Sequence, residues 1–499
     1  MPFQHLSEFL DFLADRGELV RVGVEVSATH ELAAIADRVI RESGPAVVFE
    51  NVDGKTFPAV TGLFGTEQRL LQALGVDSYD IIADRITSLV QPDLPAGWLD
   101  ALQLVPRFAE VMQWPPRLTD TAISQQVVHM GSDVDLGRLP AVKCWPGDEQ
   151  FALTATQVYM ERSVPRRDGA VVADNDEASG PARLRTADCV SVVIADSRSV
   201  VLCLTPHDEA WRVVEAARDE GRQLPVSVVL GGDPLLTLAA DMPLPPYADP
   251  LVFAGFLRGA PVTVARARSV DIHVPADADV VLEGLIDPNE PFRTIPNVAT
   301  PTGFHGVAAD GVLMQVTAVT QRANPIVPLT IPARPPSEAS VLARAAERIL
   351  LPLVRIGIPE LVDLRLPPAG AHRNIAFASV SKSYPQQSRQ VMNALWGMRR
   401  LSTVKLLVVV DAGVDVQDDD AVWFEVGANA HPGRDVIFSE GPADMLDHAT
   451  PVVGVGHRMG IDATRKLPGE GHTRPWPERL AVDRETAELV QRRWSEYGF

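Results

Sequence analysis

Apolar residues recur at helical spacing at Leu6, Phe9, Leu10 and Leu13 and stop at Gly17, which predicts a helix over 5–16. A strand over 18–22, a helix over 29–43 ended by Gly44, strands over 45–52 and 57–65, and a helix capped by Thr66 follow. The first 110 residues therefore alternate helix and strand, the pattern of an α/β unit. Helical turns continue to Gln113, and Trp114-Pro115-Pro116 reads as a linker. From 124 to 330 the pattern turns to strands: QQVVHM, ALTATQVYM, CVSVVIAD, VVLCLT, PVSVVLG, VVLEG and VLMQVTAV, with helices near 208–220 and 249–258. Residues 163–183 are polar, charged and glycine-containing, which predicts a mobile surface loop. From 337 the alternation returns: helix 337–351, strands LVDLRL and NIAFASV, helix 386–399, strand VKLLVVVD, helix 419–428 and strand DVIFS. A tail of loops then leads to a last helix over 483–496. The fold class is α/β (α+β) with a β-rich middle, and no internal repeat is present.

Composition narrows the function classes. A chain of 499 residues is too long for one core and implies two or three domains. No apolar run reaches the length of a membrane span, and the N-terminus carries acids where a signal peptide needs a basic region, so a cytoplasmic protein is expected. Cys144, Cys189 and Cys203 form no CxxC pair and read as buried free thiols. A net charge of −20 argues against nucleic acid or an anionic membrane as partner. The five aspartates between Asp411 and Asp420 suit either a hard-metal loop or a solvated turn with helix-capping acids.

The stretch from Val280 to Ala309 carries the chemical question. It opens as a strand, closes at Gly284 and runs through a loop rich in Pro and Asn, of the kind that is more often functional than filler. From Pro291 to Ala309 it contains no Asp or Glu, and it ends in Gly303-Phe304-His305-Gly306.

Gly44-Pro45-Ala46-Val47-Val48-Phe49-Glu50-Asn51, Leu63-Phe64-Gly65-Thr66, Cys144-Trp145-Pro146, Leu224-Pro225-Val226-Ser227-Val228 and Phe253-Ala254-Gly255-Phe256-Leu257-Arg258-Gly259 resemble the UbiD family of decarboxylases, in its branch acting on hydroxybenzoate-like acids. Val280 to Gly284 and the run from Val455 to Thr464 extend the likeness over nearly the whole chain. The resemblance implies an N-terminal α/β domain over 1–115, a central split β-barrel like that of flavin reductases over 116–330, and a C-terminal α/β oligomerisation domain over 331–499 that ends in a helix. It also implies a homo-oligomer, and a prenylated FMN supplied by a flavin prenyltransferase and held by a divalent metal and K+. In such a family an Arg and two acids handle the departing carboxylate and return the proton, while an Asn, a His, a Glu and a Lys hold the cofactor phosphate and its ions.

Residue by residue, the likeness places Thr186 at the Asn and Ser191 at the Arg. Aligned on Thr302-Gly303-Phe304, the two acids become Ile295 and Thr300; aligned on His305-Gly306, they become Val298 and Gly303. The metal-binding Glu becomes Pro250, with Asp249 beside it, whereas His207 and Lys382 match. Asp188, His207 and Asp249 form a candidate hard-metal set. His305 is a candidate proton donor in a remodelled pocket. The expected function is a divergent carboxy-lyase on a small aromatic or conjugated acid. A non-catalytic or regulatory subunit paired with an active paralogue, and an enzyme of the same fold with a changed reaction and no prenylated flavin, are the alternatives.

Overall fold

The computed structural model describes residues 3–90, 111–161, 163–165, 171–173, 184–187, 189–205, 209–244, 248–306, 309–398 and 400–499, with the backbone alone at 161, 163–165, 171–173, 184–187, 189–190, 209 and 309. The expected helical turns over 91–110 lie outside it.

In α1 (Leu6–Asp15), Leu6, Phe9, Leu10 and Leu13 form one buried face. Gly17, at φ 70°, then turns the chain into β1 (Leu19–Val26). The chain returns through α2 (Glu31–Arg41) to β2 (Ala46–Val52), parallel to β1, and β3 (Ala59–Thr61) adds antiparallel to β2. The strand expected over 57–65 is short because Gly62, at φ 73°, takes the chain out of the sheet. Thr66 caps α3 (Glu67–Leu74) by accepting the Arg69 N–H at 3.3 Å, and α4 (Tyr79–Val90) follows. The expected linker is a packed joint instead: Trp114 is buried, with its ring 5.0 Å from that of Phe256, and its carbonyl lies where a Cβ on Gly255 would sit at 2.2 Å.

The middle of the chain contributes β4 (Arg117–Leu118), β5 (Val127–Met130), β6 (Ala152–Leu153), β7 (Thr156–Glu161), β8 (Ser163–Pro165), β9 (Val171–Ala173), β10 (Leu184–Ala187), β11 (Cys189–Asp196) and β12 (Ser199–Leu204). After α5 (Glu209–Asp219) come β13 (Leu224–Leu230), α6 (Pro234–Asp241), α7 (Pro250–Arg258), β14 (Thr263–Arg266), β15 (His273–Pro275), β16 (Val280–Ile286), β17 (Arg293–Ile295), β18 (Ala309–Gln321) and β19 (Val327–Pro328). Ten of these strands form one sheet of order β10-β7-β13-β16-β18-β12-β11-β6, with β5 and β17 both added to β18, and the sheet curls into a nearly closed barrel. Val158, Val228 and Leu282 point into the main core, whereas Tyr159, Val229 and Val281 point at α6 and α7. Burial on both faces explains why these strands read as continuous apolar runs. The expected surface loop over 163–183 contains the β8–β9 pair, antiparallel with Val164 opposite Val172. β19 leaves the barrel and pairs with β3 in the first sheet.

The last third runs α8 (Glu338–Gly357), β20 (Leu361–Arg365), β21 (Ile375–Val380), α9 (Gln387–Trp396), β22 (Leu406–Asp411), α10 (Asp419–Asn429), α11 (Pro432–Asp435), β23 (Val436–Pro442), β24 (Val455–Asp462) and α12 (Arg484–Arg492). The sheet order is β20-β21-β22-β24-β23, with β21, β22 and β24 parallel. The expected tail of loops therefore holds an inner strand, β24. The aspartates between 411 and 420 cap and turn: Asp418 accepts the Asp420 and Ala421 N–H groups at the start of α10, and Asp415 accepts that of Gln417. Among the described residues no helix is long and apolar enough to cross a membrane.

Candidate functional site

The excursion between β17 and β18 is tied down at both ends. Ile295 lies opposite Ala309 in the sheet, and beyond it Ala299 bridges antiparallel to His305. The Gly306 N–H donates to the Val298 carbonyl at 2.8 Å and the Thr300 N–H to that of Phe304 at 3.1 Å. Gly303, at φ 85°, turns the tip against Arg334, whose Cβ would stand 2.5 Å from a Cβ at 303. Residues 298–306 thus form a small hairpin of fixed shape.

Of the positions the resemblance assigns to the Arg and the acids, Ser191, Ile295, Val298 and Thr300 are buried and uncharged, whereas Gly303 is exposed. Ile295 and Val298 close a small apolar cluster with Val193, Val201, Cys203 and Leu313. Thr300 is 2% exposed and donates its hydroxyl to the Phe304 carbonyl at 2.8 Å. Ser191, also buried, lies opposite Cys203 in the β11–β12 pair. A carboxylate or guanidinium among the hydrocarbon around Ile295 and Val298 would lose its hydration. Burial pushes the Cys144 and Cys203 thiols up to about 12, so neither is a nucleophile near neutral pH. The Cys189 side chain lies outside the described residues.

His305 is the ionisable group this hairpin does carry. Its Nε2 lies 3.0 Å from Asp148 Oδ1, and the other Asp148 oxygen accepts the Trp145 N–H at 2.9 Å. The Trp145 indole N–H donates to the Pro332 carbonyl at 2.7 Å, which anchors the Cys144–Asp148 turn to the chain leaving β19. The imidazole lies over Gly147, where an added Cβ would stand 2.6 Å from Cε1. The His305 side chain is 33% exposed and that of Asp148 11%. The Phe304 ring meets that of His448 at 4.4 Å, and Leu446 approaches Gly306.

The cofactor candidates lie partly outside the described residues. Thr186 lies opposite Tyr159 in the β10–β7 pair, its side chain outside the described residues; Asp188 and His207 lie outside them altogether. Asp249 caps α7, accepting the Leu251 N–H at 2.8 Å. Lys382 is 3% exposed and donates to Thr464 Oγ1 at 2.7 Å and to Glu470 Oε2 at 2.8 Å. Glu470 also accepts the Gln386 and Leu467 N–H groups, and these bonds hold its carboxyl below the usual range against the opposing effect of burial. The lysine charge is thus balanced by Glu470 in this arrangement. Among the described residues no three His, Cys, Asp or Glu side chains converge as a metal site.

A second polar group lies beneath α6 and α7, where sequence reasoning assigned none. Asp233 is fully buried, pairs with Arg258 at 2.9 Å and caps α6 through the Leu235 N–H; burial raises it to about 6. Burial also raises Asp279 to about 6, although it accepts the Gly232 and Ile326 N–H groups. Tyr159, buried near Asp277, Asp249 and Asp233, donates its hydroxyl to Gln157 at 2.7 Å. The Gly-Gly-Asp-Pro run before α6 is the sequence signal that marks this cap.

Comparison with known proteins covers almost the whole chain. Residues 10–89, 117–335 and 340–463 match, in order, the N-terminal, Rift-related and C-terminal domains of 3-octaprenyl-4-hydroxybenzoate carboxy-lyase (UbiD). An uncharacterized protein of Aquifex aeolicus is 34% identical over 498 residues, 99% of each chain. Among solved structures, the closed form of vanillic acid decarboxylase from Sedimentibacter hydroxybenzoicus superposes with a TM-score of 0.83 at 23% identity, over 99% of each chain. The UbiD-class enzyme HmfF from Pelotomaculum thermopropionicum, in complex with FMN, gives 0.75 at 26% identity, over 97% of this chain and 99% of its own. An evolved dimeric form of HmfF is in complex with prFMN.

Proposed function

The chain belongs to the UbiD family of carboxy-lyases, and on that premise we propose that it adds or removes CO2 at an unsaturated carbon of a small aromatic or conjugated carboxylic acid. The observation that carries this reading is the unbroken match of all three family parts along one chain. The division at 115 and 330 into an α/β domain, a barrel and an oligomerisation domain is part of the proposal.

Loss of CO2 from an sp2 carbon leaves an electron pair that water does not stabilise, and a flavin of the kind bound by HmfF supplies the electron sink when present. What this chain adds is a hairpin without carboxylates. Ile295 and Val298 are buried in an apolar cluster at positions where the resemblance would put acids, and the hairpin keeps His305 as its ionisable group. Thr186, Asp188, His207 and Lys382 as cofactor-binding residues, His207 and Asp249 as metal ligands, and prenylated FMN with a divalent metal and K+ belong to the proposal, the carboxylates reaching a phosphate only through a bound cation.

Co-expression with a flavin prenyltransferase, followed by an absorbance spectrum and a CO2-release assay on vanillate and 3,4-dihydroxybenzoate, tests this reading. Flavin absorbance with CO2 release supports it; a colourless protein without turnover ends it. The uncharged Ser191, Ile295 and Thr300 positions favour one second reading, a non-catalytic subunit assembled with an active paralogue. Mass photometry that shows only homo-oligomers, together with turnover by the isolated chain, removes that reading.

A further inference from the structure

We propose that His305 is the proton donor of this site and that Asp148 is its positioning residue, so that an imidazole–carboxylate pair does here the work an acid pair would do. The inference rests on the carboxy-lyase reading and deepens it.

A carbanion left by CO2 needs a proton from a group held at a fixed place, and from Pro291 to Ala309 there is no Asp or Glu. His305 is fixed from three sides: its backbone bridges to Ala299, its Nε2 bonds Asp148 at 3.0 Å, and its ring lies on the bare Cα of Gly147. Asp148 is fixed in turn, because its second oxygen is taken by the Trp145 N–H and Trp145 is itself tied to Pro332. A base oriented by a carboxylate that is oriented by the backbone is the arrangement that sets both tautomer and direction in acid–base sites. A pair serving only to pin the hairpin would be redundant, since the backbone bonds of Val298, Thr300 and Gly306 already close it.

With Nε2–H donated to Asp148, Nδ1 carries the transferable proton. The bond between carboxylate carbon and substrate carbon breaks, CO2 leaves without the electron pair, and the pair stays on the substrate carbon. The Nδ1 proton of the imidazolium then closes a C–H bond, and the neutral ring regains a proton from water at its exposed edge. In the carboxylation direction the same ring removes that proton. Among the described residues, Asp148 bonds the ring, Glu149 follows it on the turn and accepts from Asn297, Arg334 packs against Gly303, and His448 against Phe304.

Two measurements on the full chain decide the proposal. The first needs no turnover: diethylpyrocarbonate labelling of His305, read by peptide mass mapping, with and without millimolar vanillate. Vanillate should slow labelling by about fivefold or more, and Asp148→Asn, which removes the carboxylate that orients the ring, should shrink that protection. The second uses flavin-loaded enzyme and whichever of vanillate or 3,4-dihydroxybenzoate is consumed. His305→Gln should lower kcat by about a hundredfold or more with little change in KM, the range for loss of a positioned acid. Gly147→Ala, which keeps both groups but displaces the ring, should also lower kcat while the thermal midpoint holds. Unchanged kcat in His305→Gln overturns the proposal, as does labelling that vanillate does not slow. If the wild type consumes neither acid, the reading of the reaction fails, and the protection experiment alone decides whether His305 faces a bound carboxylate.

Discussion

Glu338, in the first turn of α8, accepts the Gly62 N–H at 3.0 Å and the Phe64 N–H at 2.9 Å, so one buried carboxylate joins the last third of the chain to the first sheet. Both donors lie where Gly62 turns the chain out of that sheet, and Arg69, itself 2% exposed, contributes a balancing charge. Glu338→Ala leaves both N–H groups enclosed without acceptors, each at a cost of about 1–3 kcal/mol. A loss of about 2–5 kcal/mol in urea unfolding is expected, and Glu338→Gln, which keeps one acceptor oxygen, should lose less. Equal losses in the two variants would show that the carboxylate charge facing Arg69, not the number of acceptor oxygens, sets the effect.

A second buried acid on the same helix gives a pH signature. Burial raises Glu347 to about 7, more than Arg344 and the Leu366 N–H lower it. A carboxyl with a raised folded pKa binds its proton more tightly folded than unfolded. Its contribution is therefore fully present below about 4.5 and is lost as pH rises to about 7. Glu347→Gln lacks that loss. Relative to wild type, its unfolding free energy should improve by on the order of 2–3 kcal/mol between pH 4.5 and 7 and stay level above. Thermal midpoints taken at half-unit pH steps check the slope, and a difference that does not vary with pH would contradict it.

What could be read from the residues follows their spacing along the chain. The strands VVLEG and VLMQVTAV were legible because both faces of the barrel sheet are buried. β24 was not, because Gly456, His457, Arg458 and Gly460 interrupt its apolar run. Gly460 is there for packing: a Cβ would meet the Met392 sulfur at 2.6 Å. α6 escaped for lack of a periodic stripe, although Asp233-Pro234 announced its start. That Ile295 and Thr300 are uncharged is plain from the sequence, whereas the partner of His305 is not. Asp148 lies 157 residues away, and no local pattern connects them. The same holds for Lys382 and Glu470, 88 residues apart.

The C-terminal helix predicts an assembly. α12 has no buried residue, and Leu480, Leu489, Trp494 and Phe499 stand exposed beside it. On β23, the edge strand of the last sheet, Phe438 is 73% exposed, with Val455 exposed on β24 beside it. Apolar surface on both a tail and a sheet edge of one chain suits docking against a second copy. Deleting residues 483–499 keeps the Arg479–Glu425 pair and removes no core. The truncated chain should keep its thermal midpoint at low concentration while its mass by photometry falls to a smaller assembly. An unchanged mass would place the interface elsewhere.

Lys382 separates the inherited expectation from the observed one most sharply. As a phosphate partner, its replacement would weaken flavin binding and leave the fold intact. As the structure has it, with Lys382 3% and Glu470 2% exposed, removal leaves a buried carboxylate without its cation, a loss of about 3–5 kcal/mol. Lys382→Met should therefore lower the thermal midpoint, and adding Glu470→Gln should restore much of it, because the double variant leaves no charge unpaired. Titration of both proteins with FMN, followed by fluorescence quenching, supplies the contrast: affinity should change by less than about threefold, worth about 0.7 kcal/mol. If the midpoint holds and affinity falls tenfold, Lys382 releases Glu470 to meet the phosphate, and the balanced pair seen here is the resting state of a cofactor-binding lysine.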